Sequence, residues 1–144
     1  MDVPLDAEEF DRWRAQAQQA AAAAESLAAT GQVAWACFLC EQAAQFGVKA
    51  ILNAVGADPW GHDLAALDGK AAAALGEVWA DVAASAMRLS RHYIPSRYPD
   101  AHPSGTPADH YGPEDLALAA EDRDRVLGAV DAAWWTLNEG EGEG

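Results

Sequence analysis

Apolar residues recur every three or four positions along most of the chain, the spacing of one face of an α-helix. The first such segment starts at Asp6, which together with Glu9 resembles a capping box, and ends before Gly31. The second covers about residues 32–55 and is apolar around most of its circumference. Such a pattern is typical of a helix that packs on several sides.

The second half of the chain predicts three further helices and one long loop. A short helix covers about residues 62–74, a longer one covers 77–93, and the last begins at Pro113 and continues to about residue 137. The intervening residues 94–112 contain four prolines, and loops of this length are often functional. We therefore predict an all-α fold, an up-and-down bundle of four long helices plus a short extra helix.

These patterns divide the chain into a lead-in of residues 1–5, one helical domain of residues 6–137 and an acidic tail of residues 138–144. The tail is predicted to be disordered because it has little apolar surface to bury. The apolar runs are shorter than a bilayer crossing needs, and the N-terminus is acidic where a secretory signal is basic. We predict a cytoplasmic protein that has no membrane partner.

Positive charge is concentrated in one part of this acidic chain, whose formal net charge is −14. No acidic residue lies between Asp81 and Asp100. The basic side chains in and beside this interval are Arg88, Arg91, His92, Arg97 and His102. An acidic protein that gathers cations beside Tyr and His residues is equipped to bind a phosphate or another anion. The alternative is that these arginines are solvated and pair with nearby carboxylates.

Polar side chains of the second helix lie along one side, at steps of three and four residues. This strip consists of Glu41, Gln42, Gln45 and Lys49. We predict that the strip is a solvated face, and the alternative is that it forms one wall of a site.

The two cysteines, Cys37 and Cys40, form a Cys-x-x-Cys motif within the same apolar helix. A structural zinc ion needs two further ligands, and the sequence contains no second cysteine pair. A redox motif is expected where a strand meets a helix, and no strand precedes these residues. We predict buried, reduced thiols and neither a metal ion nor another cofactor.

Two segments resemble the HEPN domain, a nucleotide-binding helical domain of higher eukaryotes and prokaryotes. Residues Gln42–Leu52 are similar to the family's Gln-Ala-x-Glu-x-x-x-Lys-Ala-x-Leu helix, and Tyr93–Asp100 is similar to its Tyr-x-x-x-Arg-Tyr-Pro-Asp element. His62 lies where the family often has a His-x-Leu helix start. The resemblance covers about residues 6–137, with Gln45 where Glu is usual and Phe46 where a polar residue is common.

The resemblance implies binding of nucleotide or RNA phosphate through the Arg88–His102 region. The candidate binding residues are Arg88, Arg91, His92, Tyr93, Tyr98, Asp100, Lys49 and Gln45. Homodimers are common in the family, and the partner is often a small nucleotidyltransferase that acts as the antitoxin of a toxin–antitoxin pair. The alternative that needs no catalysis is a protein-interaction module whose arginines hold an acidic patch of the partner.

The resemblance also implies a second alternative, a metal-independent ribonuclease. Nuclease members of the family use an Arg-x4–6-His motif, and Arg97 and His102 satisfy that spacing. A histidine can take the proton from a ribose 2′-hydroxyl, while an arginine neutralises the charge that develops on the phosphate. On this interpretation Arg97 and His102 are the catalytic residues.

Overall fold

The computed structural model describes residues 4–142, with side chains described through residue 139. It contains five α-helices: α1 (Ala7–Ala29), α2 (Val33–Ala54), α3 (Leu64–Leu75), α4 (Ala83–Ser90) and α5 (Pro113–Gly142). Short 3₁₀ turns precede α4 and interrupt the long loop before α5. No strand occurs between residues 4 and 142, and the predicted all-α helical bundle is confirmed.

Helix α2 is the central element, because it packs against each of the four other helices. The core is aliphatic, and its largest fully buried apolar side chains include Ile51, Leu52, Leu64, Leu67 and Leu89. Gly47 allows close approach of α5, since a Cβ atom at this position would overlap the Leu127 side chain. None of the described helices is both long and apolar enough to cross a membrane.

The ends of α1 agree with the capping signals of the sequence. The Asp6 carboxylate accepts a hydrogen bond of 3.1 Å from the backbone N–H of Glu9. Gly31 follows the helix with a φ angle of +80°, a conformation that glycine adopts without the steric penalty of a Cβ atom. The local sequence therefore determines where this helix begins and ends.

Helix α4 is shorter than the predicted helix of residues 77–93. A 3₁₀ turn covers Gly76–Val78, and Trp79 has extended backbone angles. The Trp79 side chain is buried, and its indole N–H donates a hydrogen bond of 2.9 Å to the Asp68 carboxylate on α3. This contact fixes the chain in a bend before α4, and turns replace the helix after Ser90. Arg88, Arg91 and His92 therefore do not share one continuous helical face.

The structure describes part of the predicted lead-in and part of the predicted acidic tail. Helix α5 continues through Gly142, so residues 138–142 of the predicted disordered tail are helical. Residues added to an existing helix do not incur the cost of nucleation, which favours extension over the formation of a separate helix. Residues 143–144 of the tail and residues 1–3 of the lead-in lie outside the described residues. Leu5 of the lead-in packs against the core.

Both cysteines are fully buried and unbridged, in agreement with the predicted packing role. Burial raises the pKa of the Cys37 thiol to about 12 and also raises that of Cys40. The guanidinium of Arg123, 3.5 Å from the Cys40 sulfur, opposes the effect of burial.

We expect neither thiol to react with Ellman's reagent in the native protein at pH 8, because the thiolate is the reactive form and both sulfurs are inaccessible. Both should react once the chain is unfolded in urea, which serves as the internal control. Rapid labelling of either cysteine without denaturant would contradict this prediction.

Candidate functional site

Six of the nine Lys and Arg side chains are bound to carboxylates. The pairs are Arg12–Glu9, Arg14–Asp131, Lys70–Asp58, Arg88–Asp122, Arg123–Glu25 and Arg125–Glu121. Lys49, Arg91 and Arg97 have no such partner among the described residues. In a chain with a formal charge of −14, these three cations are the candidates for binding an external anion.

Arg88 is held by α5. Its Nε and one terminal nitrogen donate hydrogen bonds of 2.9 and 2.8 Å to the two oxygens of Asp122, whose side chain is 1% exposed. At Arg88 the structure therefore agrees with the alternative given above, in which a carboxylate neutralises the arginine. The pair connects α4 to α5 through a geometry that favours strong ion pairs.

Arg97 lies among three aromatic rings. Its guanidinium carbon is 4.5 Å from the ring centre of Phe38, 4.6 Å from that of Tyr93 and 4.9 Å from that of Tyr98. Its Nε donates a hydrogen bond of 2.8 Å to the Tyr93 carbonyl. The two terminal nitrogens have no hydrogen-bond acceptor within the described part of the chain. Cation–π contacts thus hold the group in place and leave its donors available.

A cavity of about 320 Å³ lies between Arg97 and the first turn of α2. Gln32 does not cap this helix with its side chain. Residues 31–35 line the cavity, and the backbone N–H groups of residues 33–35 have no acceptor within the described residues. Uncapped N–H groups and the helix dipole favour a negative charge at this end of a helix. The half-exposed Trp35 ring lines the same cavity.

The histidines of the region have partners of their own. His92 Nδ1 lies 2.8 Å from the Tyr111 hydroxyl, and burial lowers the pKa of His92. His102 Nε2 donates to the Pro95 carbonyl at 2.7 Å, and its ring stacks on His110 at 4.4 Å between centres. No hydrogen bond or ring contact joins His102 to Arg97 in the described residues.

The polar strip of α2 is buried except for the half-buried Gln42, so the prediction of a solvated face is wrong. Glu41, Gln45 and Lys49 are 0%, 2% and 9% exposed. The Glu41 carboxyl accepts hydrogen bonds of 2.8 Å from the Gln42 amide and 2.6 Å from the Gln45 amide. The Gln45 amide also donates a hydrogen bond of 2.9 Å to the His62 carbonyl, so the segment before α3 lies over this part of the strip.

Burial raises the pKa of Glu41 to about 7, against the opposing effect of the two amide hydrogen bonds. The charges of Arg97 and Lys49 also lower it, which places Glu41 in the electrostatic neighbourhood of both cations. The strip is therefore a buried polar cluster near both cations, and its role as one wall of a site stays a prediction.

The structure brings some of the predicted site residues together and separates others. Tyr93 and Tyr98 contact the Arg97 guanidinium, whereas Arg88, His92 and His102 have separate partners, and Arg91 and Asp100 are exposed. Sequence reasoning placed Glu41 on the polar strip without selecting it as a binding residue, and it selected neither Phe38 nor Trp35. The signal for Glu41 was available, because it lies four residues before Gln45 on the same helical face.

Comparison with known proteins agrees with this fold. The family model described as the HEPN domain matches residues 10–132. The structure of TT1696 from Thermus thermophilus is 33% identical, with a TM-score of 0.79 over 86% of this chain and 97% of that one. ST0689, an archaeal HEPN homologue, is 30% identical, with a TM-score of 0.70 over 85% and 94% of the two chains. No curated protein sequence matches the chain. The family model and the two structures show that this chain belongs to the HEPN family.

Proposed function

We propose that this HEPN-domain protein binds nucleotide or RNA phosphate in the cavity between Arg97 and the first turn of α2. The observation that supports this proposal is the available pair of terminal nitrogens on Arg97, beside an uncapped helix N-terminus. An arginine presents paired donors that match two oxygens of a phosphate. The backbone N–H groups of α2 add donors that carry no charge of their own.

Aromatic side chains at the cavity support a nucleotide over inorganic phosphate. Trp35 lines the cavity with a ring that is 50% exposed, and Tyr98, 48% exposed, contacts the Arg97 guanidinium. A base that stacks on such a ring contributes about 1–3 kcal/mol. A volume of about 320 Å³ is at the small end for ligand sites and suits one nucleotide rather than a duplex.

The acidic surface limits the size of the nucleic acid that can bind. A protein that neutralises many phosphates needs many free cations, and Arg97 is the one Lys or Arg among the described residues that lines the cavity. One phosphate contact predicts a shallow salt dependence, with a slope of roughly −0.7 in a plot of log affinity against log salt. The ligand is therefore a mononucleotide or a short single-stranded segment.

We expect Arg97→Ala to weaken the binding of adenosine monophosphate, or of a short single-stranded oligoribonucleotide, by about tenfold or more. Isothermal titration calorimetry measures the loss directly. The matched control is Arg12→Ala, which removes an exposed arginine of α1 with the same change in net charge. The proposal fails if the wild type binds neither ligand, or if Arg97→Ala binds as tightly as the wild type.

The ribonuclease, the antitoxin partner and the homodimer rest on the family resemblance and stay predictions. Cleavage of a mixed tRNA pool in excess EDTA, compared between wild type, Arg97→Ala and His102→Ala, tests the first of them. If neither ligand binds and no RNA is cleaved, the protein-interaction module is the better hypothesis, with the Arg97 surface facing an acidic partner.

A further inference from the structure

Lys49 is a nearly buried cation without a partner. Its side chain lies within α2 and is 9% exposed, yet no carboxylate or hydrogen-bond acceptor lies within reach of its ammonium in the described residues. The Trp13 ring lies 6.0 Å from the ammonium, at the outer limit of a cation–π contact. An ammonium that is mostly removed from water and has no ion-pair partner is poorly compensated, so this arrangement calls for an explanation.

The position that could neutralise Lys49 is occupied by a neutral residue. Gln45 lies four residues earlier on α2, where a carboxylate would form an i,i+4 ion pair. Its amide nitrogen already donates to Glu41 and to the His62 carbonyl. Glu41 attracts Lys49 only over a longer range, since the two do not form an ion pair.

A second lysine increases the local positive charge. Lys70 of α3 is near enough to lower the pKa of Lys49, although burial is the larger cause and Glu41 opposes both. Lys70 is tied to Asp58 and to the Trp60 carbonyl, each at 2.9 Å. Helices α2 and α3 therefore each carry one ammonium group, and among the described residues only that of Lys70 forms an ion pair with a carboxylate.

The Lys49 ammonium can be reached from solvent. Among the described residues, no nitrogen or oxygen of a buried side chain is both sealed from solvent and without a partner, and the partnerless Lys49 nitrogen therefore keeps part of its surface exposed. An anion that approaches this exposed surface meets a donor group that the protein has already dehydrated on its other sides. Charge-assisted hydrogen bonds are strongest in such surroundings.

We infer that Lys49 is the centre of a second anion site, which binds a small oxyanion such as a phosphate or a carboxylate group. The bound oxyanion takes the place of the carboxylate that Gln45 does not supply. This site is separate from the Arg97 cavity. Lys49 does not line that cavity, and its backbone lies roughly 16 Å along α2 from that of Phe38, which Arg97 contacts.

The test uses Arg97→Ala as its background, so that binding at the Arg97 cavity does not contribute. Inorganic phosphate and acetate are the two probes, titrated calorimetrically at constant ionic strength. Lys49→Met removes the ammonium and keeps an unbranched side chain that is one heavy atom shorter. Gln45→Glu keeps Lys49 and supplies an internal carboxylate, to which the neutral form of Glu41 can donate a hydrogen bond.

We expect saturable binding of at least one probe to Arg97→Ala, weakened about tenfold or more by Lys49→Met and by Gln45→Glu. Circular dichroism verifies that each variant is folded, and Gln45→Glu decides alone if Lys49→Met does not fold. Absence of binding in the Arg97→Ala background, or binding that survives both second substitutions, overturns the inference. Neither outcome depends on whether a nucleotide binds at Arg97.

Discussion

Replacing Glu41 with glutamine is expected to stabilise the protein by roughly 3 kcal/mol at pH 8. Burial raises the pKa of Glu41 from 4.5 to about 7, and a rise of this size corresponds to roughly 3 kcal/mol of differential interaction at 1.36 kcal/mol per pKa unit. Because folding raises the pKa of Glu41, the contribution of this neutral carboxyl to the free energy of unfolding is fully present below pH 4.5. It is lost as the pH rises to about 7.

Glutamine avoids this loss because it is neutral at every pH. Its oxygen can accept the hydrogen bond of the Gln45 amide, as the Glu41 carboxyl now does at 2.6 Å. Its nitrogen would face Gln42, which is only half buried and can turn its own oxygen towards the new donor. The substitution therefore keeps the hydrogen bonds of the strip and removes the buried charge.

Urea unfolding of the wild type and Glu41→Gln at pH 5 and pH 8 measures this effect. The two proteins should differ little at pH 5, and the variant should be the more stable at pH 8. Glu8→Gln, an exposed position in the first turn of α1, is the matched control for the loss of one carboxylate. A variant with the same dependence on pH as the wild type would contradict the raised pKa.

The sequence predicted the features that depend on local interactions. The capping residue Asp6 and the glycine after α1 act on neighbouring backbone groups. The spacing of apolar residues likewise indicates the buried face of each helix from residues three or four positions apart. The same reasoning predicted that the fourth long helix begins at residue 77, before the observed start of α4. No local pattern shows that Trp79 forms a hydrogen bond with Asp68, eleven residues earlier. Burial of Gln45 likewise depends on the His62 carbonyl, which is supplied by the segment after α2.

The candidate site was predicted in part for the same reason. Concentrated positive charge located Arg97, and the resemblance to the family included Tyr93 and Tyr98. Whether each arginine is free depends on long-range pairing, and Asp122 lies 34 residues after Arg88. Tertiary packing brings the first turn of α2 to the cavity beside Arg97, and no pattern in the sequence indicates that these two segments are neighbours.

Arg88→Ala is expected to destabilise the protein more than the double substitution Arg88→Ala/Asp122→Ala. The single substitution leaves the Asp122 carboxylate, 1% exposed, without its two hydrogen bonds of 2.8 and 2.9 Å from Arg88. Arg125 then offers only a nitrogen 3.9 Å away. A buried charge that has lost its partner costs more than the absence of both charges, so removing the carboxylate restores part of the stability.

The dependence on pH separates this explanation from a simple loss of packing. Burial raises the pKa of Asp122, but the hydrogen bonds from Arg88 and Ser85 and the positive charges nearby lower it further than burial raises it. The ion pair therefore stabilises the folded state at neutral pH, and this contribution is lost as the pH falls through the lowered pKa. Without Arg88, protonation of Asp122 relieves the cost of burial, and the deficit of Arg88→Ala should be smaller at pH 4 than at pH 7.

Urea unfolding of the wild type, both single variants and the double variant at these two pH values measures the coupling. Arg12→Ala, which breaks an exposed pair on α1, should change the free energy of unfolding by less than about 1 kcal/mol. A double variant less stable than Arg88→Ala would show that Asp122 has acceptable partners other than Arg88. Folded Arg88→Ala should bind adenosine monophosphate as the wild type does, since Asp122 occupies Arg88 and the phosphate is assigned to Arg97.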